Sequence, residues 1–175
     1  NAGSITFGSK GNFDIGHQGG DSVVFTNTGA ITVSGGNFSV GNTAGAYGKY
    51  VQTGATSSFV STVPTLFSYN STSGVTGSAA SFGTSAFDLQ GGNFSVGNAT
   101  TGTYLVFGNA GSFVGTQSGG NLLVVRPSNP ALFLGEEGSQ GGTFSYTQTG
   151  GTLTVAGNTI VGGRTGASAT YALSA

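Results

Sequence analysis

The chain has 175 residues and 17.1 kDa, with 35 glycines, 13 phenylalanines, no cysteine, methionine or tryptophan, and a net charge of −1 from four cations and five acids. Charged residues make up 5% of it, against about 25% in ordinary soluble domains. That leaves no basic patch to neutralise nucleic acid, little material for acid–base catalysis, no disulfides, no thiolate metal site and no apolar run of membrane-spanning length.

In chain order, the first element is Ser4-Ile5-Thr6-Phe7, where polar and apolar residues alternate between glycines. Such a period of two predicts a short, half-buried strand. Gly11-Asn12-Phe13-Asp14-Ile15-Gly16-His17 follows, then Ala30-Ile31-Thr32-Val33, then Gly36-Asn37-Phe38-Ser39-Val40-Gly41-Asn42. Tyr50-Val51-Gln52-Thr53-Gly54 closes the first third. Residues 56–90 repeat least clearly and contain Pro64, so an irregular stretch is expected there. Gly92-Asn93-Phe94-Ser95-Val96-Gly97-Asn98 then returns the earlier heptad. Looser copies are Ala131-Leu132-Phe133-Leu134-Gly135-Glu136 and Asn158-Thr159-Ile160-Val161-Gly162-Gly163. Tyr146-Thr147-Gln148-Thr149-Gly150 repeats the tyrosine–glutamine motif, Thr152-Leu153-Thr154-Val155 alternates again, and Ala169-Thr170-Tyr171-Ala172-Leu173 matches Gly102-Thr103-Tyr104-Leu105.

Anchored on Gly16, Gly41, Gly97, Gly135 and Gly162, the intervals are 25, 56, 38 and 27. Two are one unit of about 26, one is close to twice that, and the 38 reads as a unit with an insertion near Leu105-Val106-Phe107-Gly108-Asn109. A unit that short cannot close a core alone, so copies must stack and each cover the next. The expected fold is all-β, a β-solenoid in the form of a right-handed β-helix of about 25–28 residues per coil, spanning 1–175 as one domain of six or seven coils. Glycine and asparagine would turn its corners, and Asn12, Asn37 and Asn93 would stack in ladders. A two-sheet β-sandwich is the alternative. Disorder is excluded by the alternating order and by the aromatic and β-branched content. No 3.6-residue period points to a helix.

The stretch from Tyr146 through Thr152-Leu153-Thr154-Val155 to Asn158 resembles the Gly/Thr/Ser-rich β-strand repeats of bacterial surface proteins, namely autotransporter passenger domains and extracellular proteins with a PEP-CTERM sorting signal. The resemblance implies a secreted β-helix acting as stalk, adhesin or matrix component, with no catalytic residues to carry over. The chain shows neither a translocator barrel nor a sorting tail. It starts at Asn1 and has no methionine, which reads as a processed product whose leader has been removed, and hence as an extracellular or cell-surface protein.

Chemistry is sparse. His17 stands in a glycine-flanked turn where two copies carry Asn42 and Asn98, and reads as a polar turn residue. The acids Asp14, Asp21, Asp88, Glu136 and Glu137 are scattered, so no enzyme, metal site or cofactor is expected. Gly19-Gly20-Asp21-Ser22-Val23 lacks the tandem copies of a calcium β-roll, and no glycine run is followed by Lys-Ser/Thr as in a phosphate loop. Sequons at Asn37, Asn70, Asn93 and Asn98 are no more than this composition supplies by chance, yet are candidate glycosylation sites. Thr26-x-Thr28, Thr147-x-Thr149 and Thr152-x-Thr154 do not recur at the unit spacing, which weakens an ice-binding reading.

Neither terminal segment shows a cap, and an uncapped solenoid exposes strand edges. A heterologous contact that does not close gives a fibre, and a net charge near zero favours association. The expectation is an extracellular structural subunit of a filament or surface matrix, joined head to tail through Ile5, Phe7, Tyr171 and Leu173. Its partner is a copy of itself, with cell-surface glycans as a further class. The alternative is a rigid stalk or adhesin segment.

Overall fold

The structure is a computed structural model that describes residues 1–8, 11–68, 83–108, 111–135, 142–163 and 168–174, with only the backbone at 128 and 129. Among these residues there are sixteen strands and no helix. Three rows of strands, one row per face, build a β-solenoid of about five turns. The first row holds β1 (Ser4–Phe7), β4 (Ala30–Val33), β7 (Ser58–Ser61), β10 (Asn93–Val96) and the leading halves of β13 (Asn121–Leu134) and β15 (Thr152–Val161). The second holds β2 (Phe13–Ile15), β5 (Phe38–Val40), β8 (Thr65–Phe67), β11 (Leu105–Phe107) and the trailing halves of β13 and β15. The third holds β3 (Ser22–Asn27), β6 (Tyr47–Gln52), β9 (Thr84–Leu89), β12 (Ser112–Gln117), β14 (Thr143–Gln148) and β16 (Ser168–Leu173).

Every pairing is parallel and in register, broken only by a bulge between Val125 and Leu132. Six strands in the third row, spaced about 4.8 Å apart, span about 24 Å from first to last. Six strands in each row meet the lower end of the six or seven coils expected; the coils are uneven, the step from Ser58 to Asn93 consuming 35 residues where the step from Ser4 to Ala30 consumes 26.

Alternation sets the core. In the first row Ile5, Ile31, Phe59, Phe94, Leu122 and Leu153 point inward as one column, and their neighbours point out. In the second row Phe38, Phe67 and Phe107 are sealed, as are Tyr50, Phe87 and Phe113 in the third. Rings stack between successive coils: Phe59 lies on Phe94 at 4.2 Å and Phe107 on Tyr146 at 5.2 Å. Such pairs add about 0.5–1.5 kcal/mol to their area burial.

The corner after the second row explains the glycine spacing. Gly16, Gly41, Gly108, Gly135 and Gly162 all have φ between 67° and 82° there, a left-handed conformation that costs other residues about 1–2 kcal/mol. Ser68 takes the same place with φ 52°. It is held by a 2.6 Å hydrogen bond between its Oγ and that of Ser85, and by donating to the Ser112 carbonyl at 2.6 Å.

Three sequence assignments are corrected here. Gly97 follows β10 in the first row, so Gly108 is the true member of the corner column. Leu105-Val106-Phe107 is accordingly a coil strand in register with Leu132-Phe133-Leu134, not an insertion. Tyr104 precedes a second-row strand whereas Tyr171 lies in a third-row one, so that pair is not equivalent. Within 56–90, strands β7, β8 and β9 keep register with their neighbours, and 69–82 lies outside the described residues.

The tyrosine–glutamine motif does mark equivalent places: Tyr50 and Tyr146, and Gln52 and Gln148, share two third-row columns. Gln52 and Gln117 are fully buried and Gln148 nearly so. Their amides donate to corner carbonyls, Gln52 Nε2 to Asn93 at 3.0 Å and Gln117 Nε2 to Thr152 at 3.0 Å. Tyrosine hydroxyls complete them, Tyr50 donating to Gln52 Oε1 at 2.8 Å and Tyr146 to Gln117 Oε1 at 2.7 Å. Coil three replaces both partners together with Phe87 and Leu89. In these two columns each buried glutamine keeps a tyrosine partner, as the cost of desolvation demands; elsewhere Asn42 Oδ1 and Thr103 Oγ1 are buried without one.

Candidate assembly interface

At the N-terminal end, β1, β2 and β3 pair only with β4, β5 and β6 among the described residues, which leaves one edge of each unpaired. Ile5, Phe7, Phe13 and Phe25 face inward but have no coil beneath them, so they are only half-buried. Phe7 stacks on Phe13 at 4.4 Å, and Phe13 meets Phe25 edge-on at 5.3 Å. This end is therefore a shallow aromatic plug. Asn1 fastens it: its side-chain amide reaches the Ala30 carbonyl at 3.3 Å, and the Thr28 amide donates to the Asn1 carbonyl at 2.6 Å.

The other end is hollow. Among the described residues, β15 pairs only with β13, and β16 only with β14. The inward residues of the last coil are small or aliphatic: Leu153, Val155, Thr159, Val161 and Ala169. They leave an open cavity of about 320 Å³ whose floor is Phe107, Leu132, Leu134 and Tyr146. Tyr171 closes one side, stacked on Tyr146 at 5.8 Å and donating to Gln148 Oε1 at 2.8 Å. Val161, Tyr171 and Leu173 are exposed, Leu173 at 71%.

The four residues singled out from the sequence are placed two at each end, Ile5 and Phe7 in the first coil, Tyr171 and Leu173 in the last. The structure adds Phe13 and Phe25 to the first group and Leu153, Val155 and Val161 to the second. Phe13 carried a visible signal, since it heads a copy of the heptad. The others became legible only with the columns.

The remaining candidates fall elsewhere. His17 stacks over Asn42 at 3.1 Å, with Asp14 Oδ2 3.3 Å from its Nδ1, but Asn98 belongs to another row. Ser39 Oγ donates to Asp14 rather than to His17. Asp21 Oδ2 accepts the His17 and Gln18 amides at 3.1 and 2.8 Å, the geometry of a capped turn. On the outer third-row face, Asp88 pairs with Lys49 at 3.5 Å and accepts from Thr116 at 3.1 Å, tying three coils together. Among the described residues no three of His, Cys, Asp and Glu converge on one point.

Of the sequons, Asn37 is half-buried and its backbone amide donates to Asn12 Oδ1 at 3.1 Å; Asn93 is exposed and accepts from Asn121 at 2.9 Å. Asn12 and Asn37 thus form one ladder and Asn93 another. Asn98 is exposed, its Oδ1 capping a turn through the Thr101 amide at 2.6 Å, while Asn70, Lys10, Glu136, Glu137 and Arg164 lie outside the described residues. Among the described residues the outward threonines stack in pairs at most, such as Thr6 with Thr32 and Thr116 with Thr147. Thr116 and Thr147 are followed by Ala172 and preceded by Asp88, and Thr154 by Leu123.

No protein-family model, curated protein or solved structure matches the chain.

Proposed function

We propose that the protein is a non-enzymatic structural subunit of an extracellular filament or surface matrix, in which copies join head to tail through their end coils. The observation that carries this reading is that, among the described residues, the first and last coils each have unpaired parallel edges and apolar surface. Unpaired edges are templates for strand addition. A contact that joins one end to the opposite end of the next copy repeats without closing and grows a fibre. The near-absence of charge removes the repulsion that keeps monomers apart.

The test is negative-stain microscopy together with sizing across a concentration series. Long uniform fibres with a regular axial repeat are the expected result, and deletion of residues 1–8 abolishes them. A 17.1 kDa monomer that persists at high concentration overturns the reading. It would favour the second reading that the same edges support, a rigid stalk or adhesin segment whose end coils are met by further coils of a longer polypeptide.

A further inference from the structure

We infer that the two ends are a plug and a socket: the Phe7–Phe13 ring pair of one copy fills the cavity in the last coil of the next, with all three strand rows continuing in register. This rests on the head-to-tail reading above and specifies its joint.

Three observations on opposite ends of the molecule fit one another. The first is volume. A benzene-sized ring occupies a cavity of about 150 Å³, so about 320 Å³ accommodates two rings, and the first coil presents two rings already stacked at 4.4 Å. The second is register. If the columns run on, Ile5 of the incoming copy lies over Leu153, Phe7 over Val155, Phe13 over Thr159 and Phe25 over Tyr171. Val155 and Thr159, the residues beneath the two rings, both line the cavity. The third is chemistry, because the third-row aromatic column already stacks Phe25 on Tyr50 at 6.1 Å and Tyr146 on Tyr171 at 5.8 Å. Phe25 of the next copy extends that column without changing its character.

The register also sets a condition at the corner. The Thr28 amide bonds the Asn1 carbonyl as the Thr53 amide bonds that of Asn27, so Asn1 sits one level before Asn27 in the same column. In a joined pair that level is the one Leu173 holds. Leu173, at 71% exposure, gives way to the incoming Asn1. It is therefore a latch that must open, and not a contact that holds the joint.

Cross-linking tests the joint directly, since the chain has no cysteine of its own. Thr6 and Thr154 point outward from equivalent positions in the first row, so neither replacement touches the core. In-register neighbours at about 4.8 Å lie within the Cα range of a disulfide. A mixture of Thr6→Cys and Thr154→Cys chains, oxidised at an assembling concentration, yields a covalent dimer. A mixture of Thr6→Cys and Thr116→Cys, whose sites lie in different rows, does not. Phe7→Ala with Phe13→Ala raises the critical concentration by about tenfold or more, and Leu173→Gly lowers it. Circular dichroism melts confirm that each variant keeps its fold.

Fibres that form without the Thr6–Thr154 cross-link, or that tolerate loss of both rings, overturn the plug and socket while leaving head-to-tail assembly in place. Equal cross-linking at Thr116 does the same. Absence of any association by the parent chain removes the filament reading and this joint together.

Discussion

Phe94 and Leu153 stand in one inward column two coils apart, yet Phe94 is sealed at 0% exposure and Leu153 is half-buried. The strands around them alternate in the same way and pair in parallel with the coil before. What differs is whether a coil lies on the far side. In a solenoid a residue is buried by its neighbours above and below, so the same sequence pattern that closes the middle leaves both ends open. Mutations that probe the middle and the end of one column separate these two situations.

The largest contrast belongs to the glycine corner. A Cβ at Gly108 would collide with the Phe144 ring in addition to the strain of φ 82°, whereas at Gly162, with φ 70°, it meets only the Ala169 Cβ at 3.8 Å. Gly108→Ala is expected to cost about 3–5 kcal/mol, from overpacking and left-handed strain together, and Gly162→Ala about 1–2 kcal/mol. Urea midpoints of the two variants measure this. Equal losses would mean that strain alone governs the corner.

Next comes the core column. Phe94→Ala should destabilise by about 3–5 kcal/mol, and Leu153→Ala by less than about 2 kcal/mol, because its site is already open. If assembly covers Leu153, the gap between the two narrows at concentrations where fibres form, a sharper version of the same comparison.

A smaller effect tests the polar corner. Gln117→Leu leaves the Tyr146 hydroxyl without its buried acceptor and should cost about 1–3 kcal/mol. Adding Tyr146→Phe should recover most of that loss, since the Phe87–Leu89 coil is built this way. A double-mutant cycle on thermal unfolding reads the recovery, and strict additivity would refute the coupling.

The last effect is confined to alkaline conditions. Burial pushes the Tyr50 and Tyr146 hydroxyls well above the ordinary tyrosine value; Asn27 partly opposes this for Tyr50, and the Tyr171 hydroxyl adds to it for Tyr146. Raised folded-state pKa values mean that the unfolded chain releases these protons first, from about pH 10. Stability is therefore flat below about pH 10 and falls above it. Denaturation midpoints between pH 8 and 11 should show that slope, and Tyr50→Phe with Tyr146→Phe should flatten it.

Much of the fold was legible before any coordinates. Strict alternation in Ser4–Phe7, Ala30–Val33 and Thr152–Val155 marks strands, and the Tyr50/Gln52 and Tyr146/Gln148 copies fall on true columns. The heptad Gly-Asn-Phe-Ser-Val-Gly-Asn misled for a physical reason. An inward Phe followed two residues later by a small apolar residue and a glycine turn suits any face of the solenoid, so Phe38 serves the second row and Phe94 the first. The joint was half legible. Ile5 and Phe7 follow from alternation near one end, but the cavity depends on which residues share a level, and Leu153, Thr159 and Tyr171 are spread over 19 positions. Only the register brings them together.

One feature of the stack governs how it carries load. Its rungs are backbone hydrogen bonds that run along the axis from coil to coil, and its two ends lie at opposite faces. Tension along that axis loads the rungs in series, so the weakest rung parts first and the others hold. Each coil that peels away pays out roughly 26 residues, or about 90 Å of slack, several times the height of the folded stack. A fibre of such units would absorb a pull by unspooling step by step, rather like a ratcheted line, and would shorten again as the coils wind back.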